Sequence, residues 1–190
     1  MDMEHSASEE RSRYWLALGL TVVGGLARLI PHPPNFTPVG GMSLFAGARL
    51  RGWQAYCIPL LLMGATDPIL SLLYGYPLFS QVTPAIYGSF LLSAWIGRTM
   101  LRGSRSAVRI GAAAALCSAQ FFVLTNFAVW LWGGLYPPTA AGLSACYVAA
   151  LPFLGRTLAG DLFYTGLLFT LQAWLACATP TVRPKAVAVQ

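Results

Sequence analysis

The chain has 190 residues, of which 56% are hydrophobic and only 9% are charged, whereas soluble domains carry about 25% charged residues. Its apolar residues form long continuous runs, which argues against a soluble domain and against the alternating pattern of a β-barrel. The formal net charge is +6, but the basic residues flank the apolar runs, as topology signals and lipid contacts do. We therefore predict an all-α membrane protein that contacts lipid and does not bind nucleic acid.

The chain is predicted to form one domain with two short tails. Residues 1–13 are polar and acidic, and they read as a disordered cytoplasmic tail, with no cleavable signal peptide apparent. Residues 14–178 are predicted to be a six-helix transmembrane domain, and residues 179–190 a loose cytoplasmic tail. The four cysteines have no CxxC spacing and read as small buried hydrophobic residues.

The first span is predicted at Tyr14–Ile30, and it ends at four prolines within residues 31–38, which must form a rigid non-helical loop. The second segment, Val39–Leu50, is short and rich in small residues that allow close helix packing. Its 12 residues can cross a bilayer only with help from neighbouring helices. We favour a spanning helix, and a re-entrant segment remains the alternative.

The later spans are read from the remaining apolar runs. These runs are Trp53–Tyr74, Thr83–Met100, Ile110–Trp132 and Asp161–Ala178. The Asp67-Pro68 step is predicted to kink the third span. The apolar stretch Gly142–Leu154 is broken from the last run by Pro152, Gly155 and Gly160, and it is predicted to be an interfacial or partly inserted helix.

Positive charges alternate from one connecting segment to the next. The Arg49/Arg51 turn, the loop from Arg98 to Arg109 and the C-terminal tail are basic, whereas the three other loops contain no lysine or arginine. By the positive-inside rule this pattern predicts six spans with both termini in the cytoplasm. In a bacterium this would be a multi-pass protein of the inner membrane.

Four ionisable side chains fall inside or beside the apolar runs, namely Arg28, Asp67, Arg156 and Asp161. Charge at membrane depth is costly and usually marks a site or a pathway. The topology places all four toward the external face, where two acids and two arginines suggest mutual pairing. Such pairs either lock helices together or line an outward-facing ligand cavity. Both interpretations stay open, and we favour the cavity.

Further hydrogen-bonding side chains fall on the same predicted side. The candidate substrate-binding residues are His32, Asn35, Asp67, Ser80, Tyr87, Asn126, Tyr147, Arg156, Asp161 and Tyr164. The chain has no HExxH, GxSxG or Walker A motif, and no catalytic residue is assigned. Two alternatives are retained: an intramembrane enzyme that uses Asp67 or Asp161 beside His32, and a structural subunit in which the charges join helices.

Four strings carry a resemblance to a known family. They are Arg28-Leu-Ile-Pro-His-Pro-Pro-Asn-Phe-Thr-Pro38, Leu124-Thr-Asn-Phe-Ala-Val-Trp-Leu-Trp-Gly-Gly-Leu-Tyr-Pro137, Gly142-Leu-Ser-Ala-Cys-Tyr-Val-Ala-Ala-Leu-Pro-Phe153 and Arg156-Thr-Leu-Ala-Gly-Asp-Leu-Phe-Tyr164. Over roughly residues 14–176 the chain resembles small bacterial membrane proteins related to the S-components of energy-coupling-factor (ECF) transporters. Within that group it looks most like the BtuM-type solitary S-components of vitamin B12 uptake.

The resemblance implies a substrate pocket at the periplasmic face, with His32, Asp67, Tyr87 and Arg156 at its polar positions. It implies a cobalamin or related corrinoid as the substrate, and we expect no intrinsic cofactor. For a corrinoid substrate, His32 is our own candidate for an axial cobalt ligand. Some B12-type members carry a cysteine ligand between the aspartate and the tyrosine, where this chain offers only Ser80. An ECF-type energising module is an expected partner, although the first span lacks the AxxxA face on which such modules dock.

Overall fold

The computed structural model describes the backbone of residues 2–75 and 77–178, and the side chains from residue 10 onward within those ranges. Six α-helices make up the described chain, joined by turns and one short 3-10 turn after the first helix, and these residues contain no strand. The helices are α1 (Asp2–Leu26), α2 (Val39–Arg49), α3 (Gln54–Tyr74), α4 (Thr83–Met100), α5 (Ala107–Trp132) and α6 (Ala140–Ala178). Three of them, α3, α5 and α6, are long and apolar enough to cross a membrane.

The helices form a bundle in which α1 and α3 run parallel to each other. The hydroxyl of Tyr14 donates a hydrogen bond to Gln54 at one end of this pair, and Arg28 donates one to Thr66 toward the other end. At the first end, Arg98 near the end of α4 reaches the carbonyl of Gly52, which shows that α4 returns in the opposite direction.

A second set of contacts draws three elements together at this same end. The guanidinium of Arg49 at the end of α2 donates hydrogen bonds to Gln172 of α6 at 2.7 Å and to the carbonyl oxygens of Leu101 and Ser104 at 3.1 and 2.8 Å. The start of α3, the α4–α5 turn and the last part of α6 therefore share one end of the bundle with the beginning of the apolar part of α1.

Helix α2 is the centre of the bundle, because ten of its eleven residues are buried and it packs against all the other helices. Its glycines permit this. The backbone at Gly47 lies so close to the carbonyl of Ala94 in α4 that an added Cβ would overlap it. The same holds for Gly97 of α4, where an added Cβ would overlap the carbonyl of Leu44. The small residues noted in the sequence thus serve direct backbone-to-backbone packing between α2 and α4.

The predicted limits of α2 agree with the observed helix, but its length does not cross a membrane by itself. Eleven residues rise about 16 Å, against a hydrocarbon core of about 30 Å. The non-helical residues 31–38 precede it, and Phe36 among them packs on Phe163 and Tyr164 of α6. Gly160 of α6 permits this approach, since an added Cβ would lie 3.2 Å from Phe36 Cα and the Thr37 nitrogen.

Two predicted boundaries differ from the structure. Helix α1 begins at Asp2, so residues 2–13, predicted to be a disordered tail, continue the helix. This segment contains no glycine or proline, and it has three glutamates and two arginines, which favour helix formation. The tail predicted at 179–190 lies outside the described residues.

The second difference concerns Gly142–Leu154, predicted as a separate interfacial helix. The structure instead has one continuous 39-residue helix, α6, that runs through Pro152, Gly155 and Gly160. Packing against α5 supports the helix across these residues: the hydroxyl of Tyr147 donates a 2.7 Å hydrogen bond to the carbonyl of Val123. At about 58 Å, α6 is longer than the hydrocarbon core of a membrane, so it must tilt, bend or extend beyond it.

Candidate functional site

The first of the predicted acids, Asp67 of α3, is fully engaged by neighbouring helices. Its Oδ1 pairs with the guanidinium of Arg28 at 2.5 Å, and its Oδ2 accepts a hydrogen bond from the hydroxyl of Tyr87 in α4. The same guanidinium donates a 3.0 Å hydrogen bond to Thr66. The side chains of Arg28 and Asp67 are only 17% and 16% exposed. The predicted pairing is confirmed here, and the cluster joins the end of α1 to α3 and α4.

The second acid, Asp161 of α6, has a different environment. It is 5% exposed, and its Oδ2 accepts a 2.6 Å hydrogen bond from the hydroxyl of Ser118 in α5. Its Oδ1 lies against Gly40 of α2, where an added Cβ would overlap it. No lysine, arginine or histidine among the described residues pairs with this carboxylate. Burying a carboxylate without a cation is costly, so this position calls for a functional explanation.

Asp161 opens into a small cavity between α2, α4, α5 and α6, which we call the Asp161 cavity. Its volume is about 40 Å³, enough for about three water molecules. The lining residues are Asn35, Thr37, Gly40, Phe90, Ser93, Cys117, Phe121, Thr157 and Asp161. The loop residues Asn35 and Thr37 belong to the 31–38 segment, so this loop forms one wall of the cavity.

The expected mutual pairing of the two acids and two arginines does not extend to Arg156 and Asp161. Arg156 is exposed, and it makes no hydrogen bond or ion pair with any residue that the structure describes. Both residues lie in the continuous helix α6, where a spacing of five residues corresponds to a rotation of about 140°. The two side chains therefore leave the helix on different faces, and only Asp161 faces the interior.

Buried polar side chains that the sequence reasoning missed lie elsewhere in the bundle, and one group of them reaches Ser93 of the cavity lining. The amide of Gln120 in α5 donates 3.0 Å hydrogen bonds to the Ser89 carbonyl and to the hydroxyl of Ser93 in α4. The Oε1 atom of Gln120 and the hydroxyls of Ser43 and Thr165 are buried with no partner among the described residues. Leaving such a group unsatisfied costs about 1–3 kcal/mol. Several of them together indicate that a water molecule or a ligand completes this region.

A sequence signal for these residues existed. Ser89 and Ser93 are one helical turn apart in an otherwise apolar span, and Cys117 and Gln120 have a similar spacing, three residues apart, in the next span. Polar residues one turn apart share a helix face. A search for such pairs, and not only for charges, would have indicated the interface between α4 and α5.

His32 is half-buried in the 31–38 loop, and its Nε2 has no hydrogen-bond partner among the described residues. Burial and the nearby charge of Arg28 lower the pKa of its imidazole below the ordinary value, so the ring is neutral at pH 7. A neutral imidazole retains a lone pair that can bind a metal. However, His32 does not line the Asp161 cavity, and the described residues contain no group of three metal-ligating side chains.

The remaining candidate residues divide into three places. Asn35, with a left-handed backbone at φ 65°, lines the Asp161 cavity, and the ring of Tyr164 stacks on Phe36 beside it at 5.6 Å. Ser80 is exposed and bonds only to Thr83 at the start of α4.

Asn126 and Tyr147 lie at the contact between α5 and α6. Asn126 donates a 2.8 Å hydrogen bond to the carbonyl of Phe122, and Tyr147 donates to the carbonyl of Val123. Of the ten candidate residues, the structure therefore brings only Asn35 and Asp161 into the cavity lining, with Tyr164 next to it, while Asp67 and Tyr87 form a separate cluster.

Comparisons with known proteins place the chain in a family without assigning an activity. The model of a family of unknown function, DUF6580, matches residues 8–183. No curated protein matches the chain, and no solved structure matches it. Because the match covers most of the sequence, the protein belongs to the DUF6580 family.

Proposed function

We propose that this protein is a multi-pass protein of the bacterial inner membrane that binds a small solute in the Asp161 cavity and carries it toward the cytoplasm. The observation that carries the proposal is the carboxylate of Asp161, which is buried, has no cationic partner among the described residues and opens into a cavity. Transport proteins place ionisable residues of this kind along solute pathways.

The arrangement of the helix ends supports a six-span topology with cytoplasmic termini. The end at which Arg49 contacts the α4–α5 turn and α6 also carries Arg51, Arg98 and the exposed Arg102 and Arg105. Positive residues gather on the cytoplasmic side of membrane proteins. With this end in the cytoplasm, the 31–38 loop faces the periplasm.

The 31–38 loop is then the structure that controls access to the cavity. Its prolines fix the backbone, and Phe36 anchors it on the aromatic rings of Phe163 and Tyr164. A solute that enters past Asn35 and Thr37 must loosen these ring contacts. Release on the other side requires the helices around α2 to shift, as in domain and helix rearrangements of other transporters.

The resemblance to S-components bears on the size of the solute. A corrinoid is far larger than a cavity of about 40 Å³, so its binding would require the 31–38 loop and the surrounding helices to separate. His32 would then be the residue to approach the cobalt, since its Nε2 has no other partner in the described chain. In its present form the cavity suits a much smaller molecule or one end of a larger one.

The alternative in which the buried charges only join helices is favoured at the Asp67 cluster and not at Asp161. Arg28, Asp67 and Tyr87 satisfy one another across three helices, which is what a helix-joining cluster requires. The enzyme alternative placed His32 beside Asp67 or Asp161. His32 is not among the residues that line the Asp161 cavity, and both oxygens of Asp67 are engaged by Arg28 and Tyr87.

The proposal can be tested by filling the cavity with a larger side chain and identifying the small molecules that the protein then no longer retains. Thr157 lines the cavity and bonds to the carbonyl of Phe153 at 3.0 Å, while the exposed Thr99 makes the same bond to Trp95 in α4 at 3.0 Å. Thr157→Phe should therefore block the cavity, and Thr99→Phe is its matched control.

Small molecules that co-purify with each detergent-solubilised protein are identified by mass spectrometry, with cobalamin followed by its absorbance. We expect at least one compound to be retained by the wild type and by Thr99→Phe and to be lost from Thr157→Phe. Identical profiles for all three proteins, in cells supplied with a rich medium, would contradict the proposal.

A further inference from the structure

We infer that the solute bound in the Asp161 cavity carries a positively charged nitrogen head group, of the size of a small alkylammonium or a guanidinium, with Asp161 as its counter-ion. This inference rests on the function proposed above and names the chemical class of the solute. It follows from the charge, the hydrogen-bonding capacity and the size of the lining.

The charge of the lining is one-sided. The nine lining residues include one carboxylate and no lysine, arginine or histidine. An anionic solute would meet an uncompensated negative charge in a region of low dielectric, whereas a cation would neutralise it. The closest arginine in sequence, Arg156, points away, and Arg28 is already paired with Asp67.

The hydrogen-bonding groups of the cavity also favour a donor. Asp161 uses Oδ2 to accept from Ser118, and no described residue donates to its Oδ1. Thr157 donates its proton to the carbonyl of Phe153, and Thr37 accepts from the Val39 nitrogen at 3.2 Å. The threonine hydroxyls and the carboxylate keep free lone pairs, which suit the several N–H groups of an ammonium or guanidinium ion.

The aromatic part of the lining fits the same class. Phe90 of α4 and Phe121 of α5 both line the cavity, and their ring centroids are 5.1 Å apart with an interplanar angle of 32°. A cation near an aromatic face is attracted by the ring quadrupole, more strongly when both are desolvated. The lining thus combines a carboxylate with two aromatic rings, both of which suit an organic cation.

The volume of the cavity limits the size of the head group, and Gly40 determines where the carboxylate lies in it. The cavity has room for about three to four water-sized groups, hence for a head of about three to four non-hydrogen atoms. Since a Cβ at Gly40 would overlap Oδ1 of Asp161, this glycine keeps the carboxylate in place. A larger solute would have its remaining part in the opening beside Asn35 and Thr37.

The test compares charged probes with neutral probes of nearly the same shape. Purified full-length protein is titrated separately with each probe at millimolar concentration, and the midpoint of thermal unfolding is measured. Ethylammonium is compared with neutral ethanol, guanidinium with neutral urea, and acetate serves as the anion. We expect saturable stabilisation by the two cations and none by the neutral probes or acetate. Stabilisation that does not distinguish ethylammonium from ethanol, or that occurs with sodium ions alone, would overturn the inference.

Variants then assign the effect to Asp161. Asp161→Asn keeps the size of the side chain and an acceptor for Ser118, and it should weaken binding of the cations about 30-fold or more. Glu10→Gln, which neutralises an exposed carboxylate, controls for the change in net charge and should bind as the wild type does. Unchanged affinity in a folded Asp161→Asn protein would exclude Asp161 as the counter-ion.

A second pair of variants tests the role of Gly40 without changing any charge. Gly40→Ala should displace the carboxylate and weaken cation binding, whereas Gly64→Ala, where an added Cβ meets nothing within 4 Å, should not. Equal affinities for the cation in the two alanine variants would contradict the proposed role of Gly40 in keeping the carboxylate of Asp161 in place. If Thr157→Phe loses a retained compound that proves neutral or anionic, the inference fails while the proposed function stands. If no compound depends on the cavity, the proposed function itself fails.

Discussion

Asp67 and Asp161 are both largely buried aspartates on long apolar helices, yet their surroundings give them opposite roles. Asp67 has an arginine on one oxygen and a tyrosine hydroxyl on the other, so both of its oxygens are engaged and its charge is neutralised. Asp161 has a single serine and an open side toward a cavity. The comparison teaches that a charge inside an apolar helix is a candidate for binding only when its neighbours leave it incompletely satisfied, which holds for Asp161 and not for Asp67.

The largest expected effect comes from removing the partner of Asp67. Arg28→Ala leaves a carboxylate unpaired among three helices, and it should lower the free energy of unfolding by about 3–5 kcal/mol. Unfolding in mixed detergent, followed by circular dichroism, measures the change. The double variant Arg28→Ala/Asp67→Asn should recover part of the loss, since the unpaired charge is then absent. A double variant that is as unstable as the sum of its single changes would show that the pair does not act as a unit.

The second prediction separates packing from binding within α2. Gly47 contacts the backbone of Ala94 directly, whereas Gly40, on the same helix, contacts the carboxylate of Asp161. Gly47→Ala should force α2 and α4 apart and destabilise the fold by about 1–3 kcal/mol. Gly19→Ala is its control, because an added Cβ there meets nothing within 4 Å. Equal thermal midpoints for these two variants would show that the close crossing of α2 and α4 is not needed for stability.

The third prediction concerns a charge whose removal should not lower the free energy of unfolding, in contrast to the first. Asp161→Asn removes an unpaired buried charge while retaining an acceptor for Ser118, so it should leave stability unchanged or raise it by about 1 kcal/mol. The same unfolding assay measures it, in the absence of any added solute. A clear loss of stability would mean that Asp161, like Asp67, serves to join helices, and the contrast between the two acids would disappear.

The helices could be read from the sequence because apolar runs and prolines determine them locally. The observed α2, α3 and α4 begin or end within a residue of the predicted limits, and Arg28 and Asp67 were recognised as pairing candidates. The error at Arg156 arose because Pro152 and Gly155 were taken as helix breaks. Packing against α5 and the 31–38 loop overrides these local preferences and fixes Arg156 and Asp161 on different faces of one helix.

The cavity itself could not be predicted in the same way. Its lining comes from four helices and one loop, and which serines and threonines face it depends on helix rotation. The spacing of polar residues can indicate a helix face at Ser93, but it does not show that Ser93 and Ser118 lie beside an acid of another helix. Only the tertiary structure shows that they surround a carboxylate.

The smallest effect is expected at Ser80, which the sequence analysis had included among the binding residues. Its hydroxyl lies 3.2 Å from that of Thr83 in an exposed turn, on neither the Asp67 cluster nor the Asp161 cavity. Ser80→Ala should change the free energy of unfolding by no more than about 0.5 kcal/mol, as substitutions at exposed positions usually do. It should also leave the retained compounds and the response to ethylammonium as in the wild type. If Ser80→Ala lost the retained compounds or the response to ethylammonium, the turn before α4 would have to close onto the solute. The site would then extend beyond Asp161 toward the Asp67 cluster.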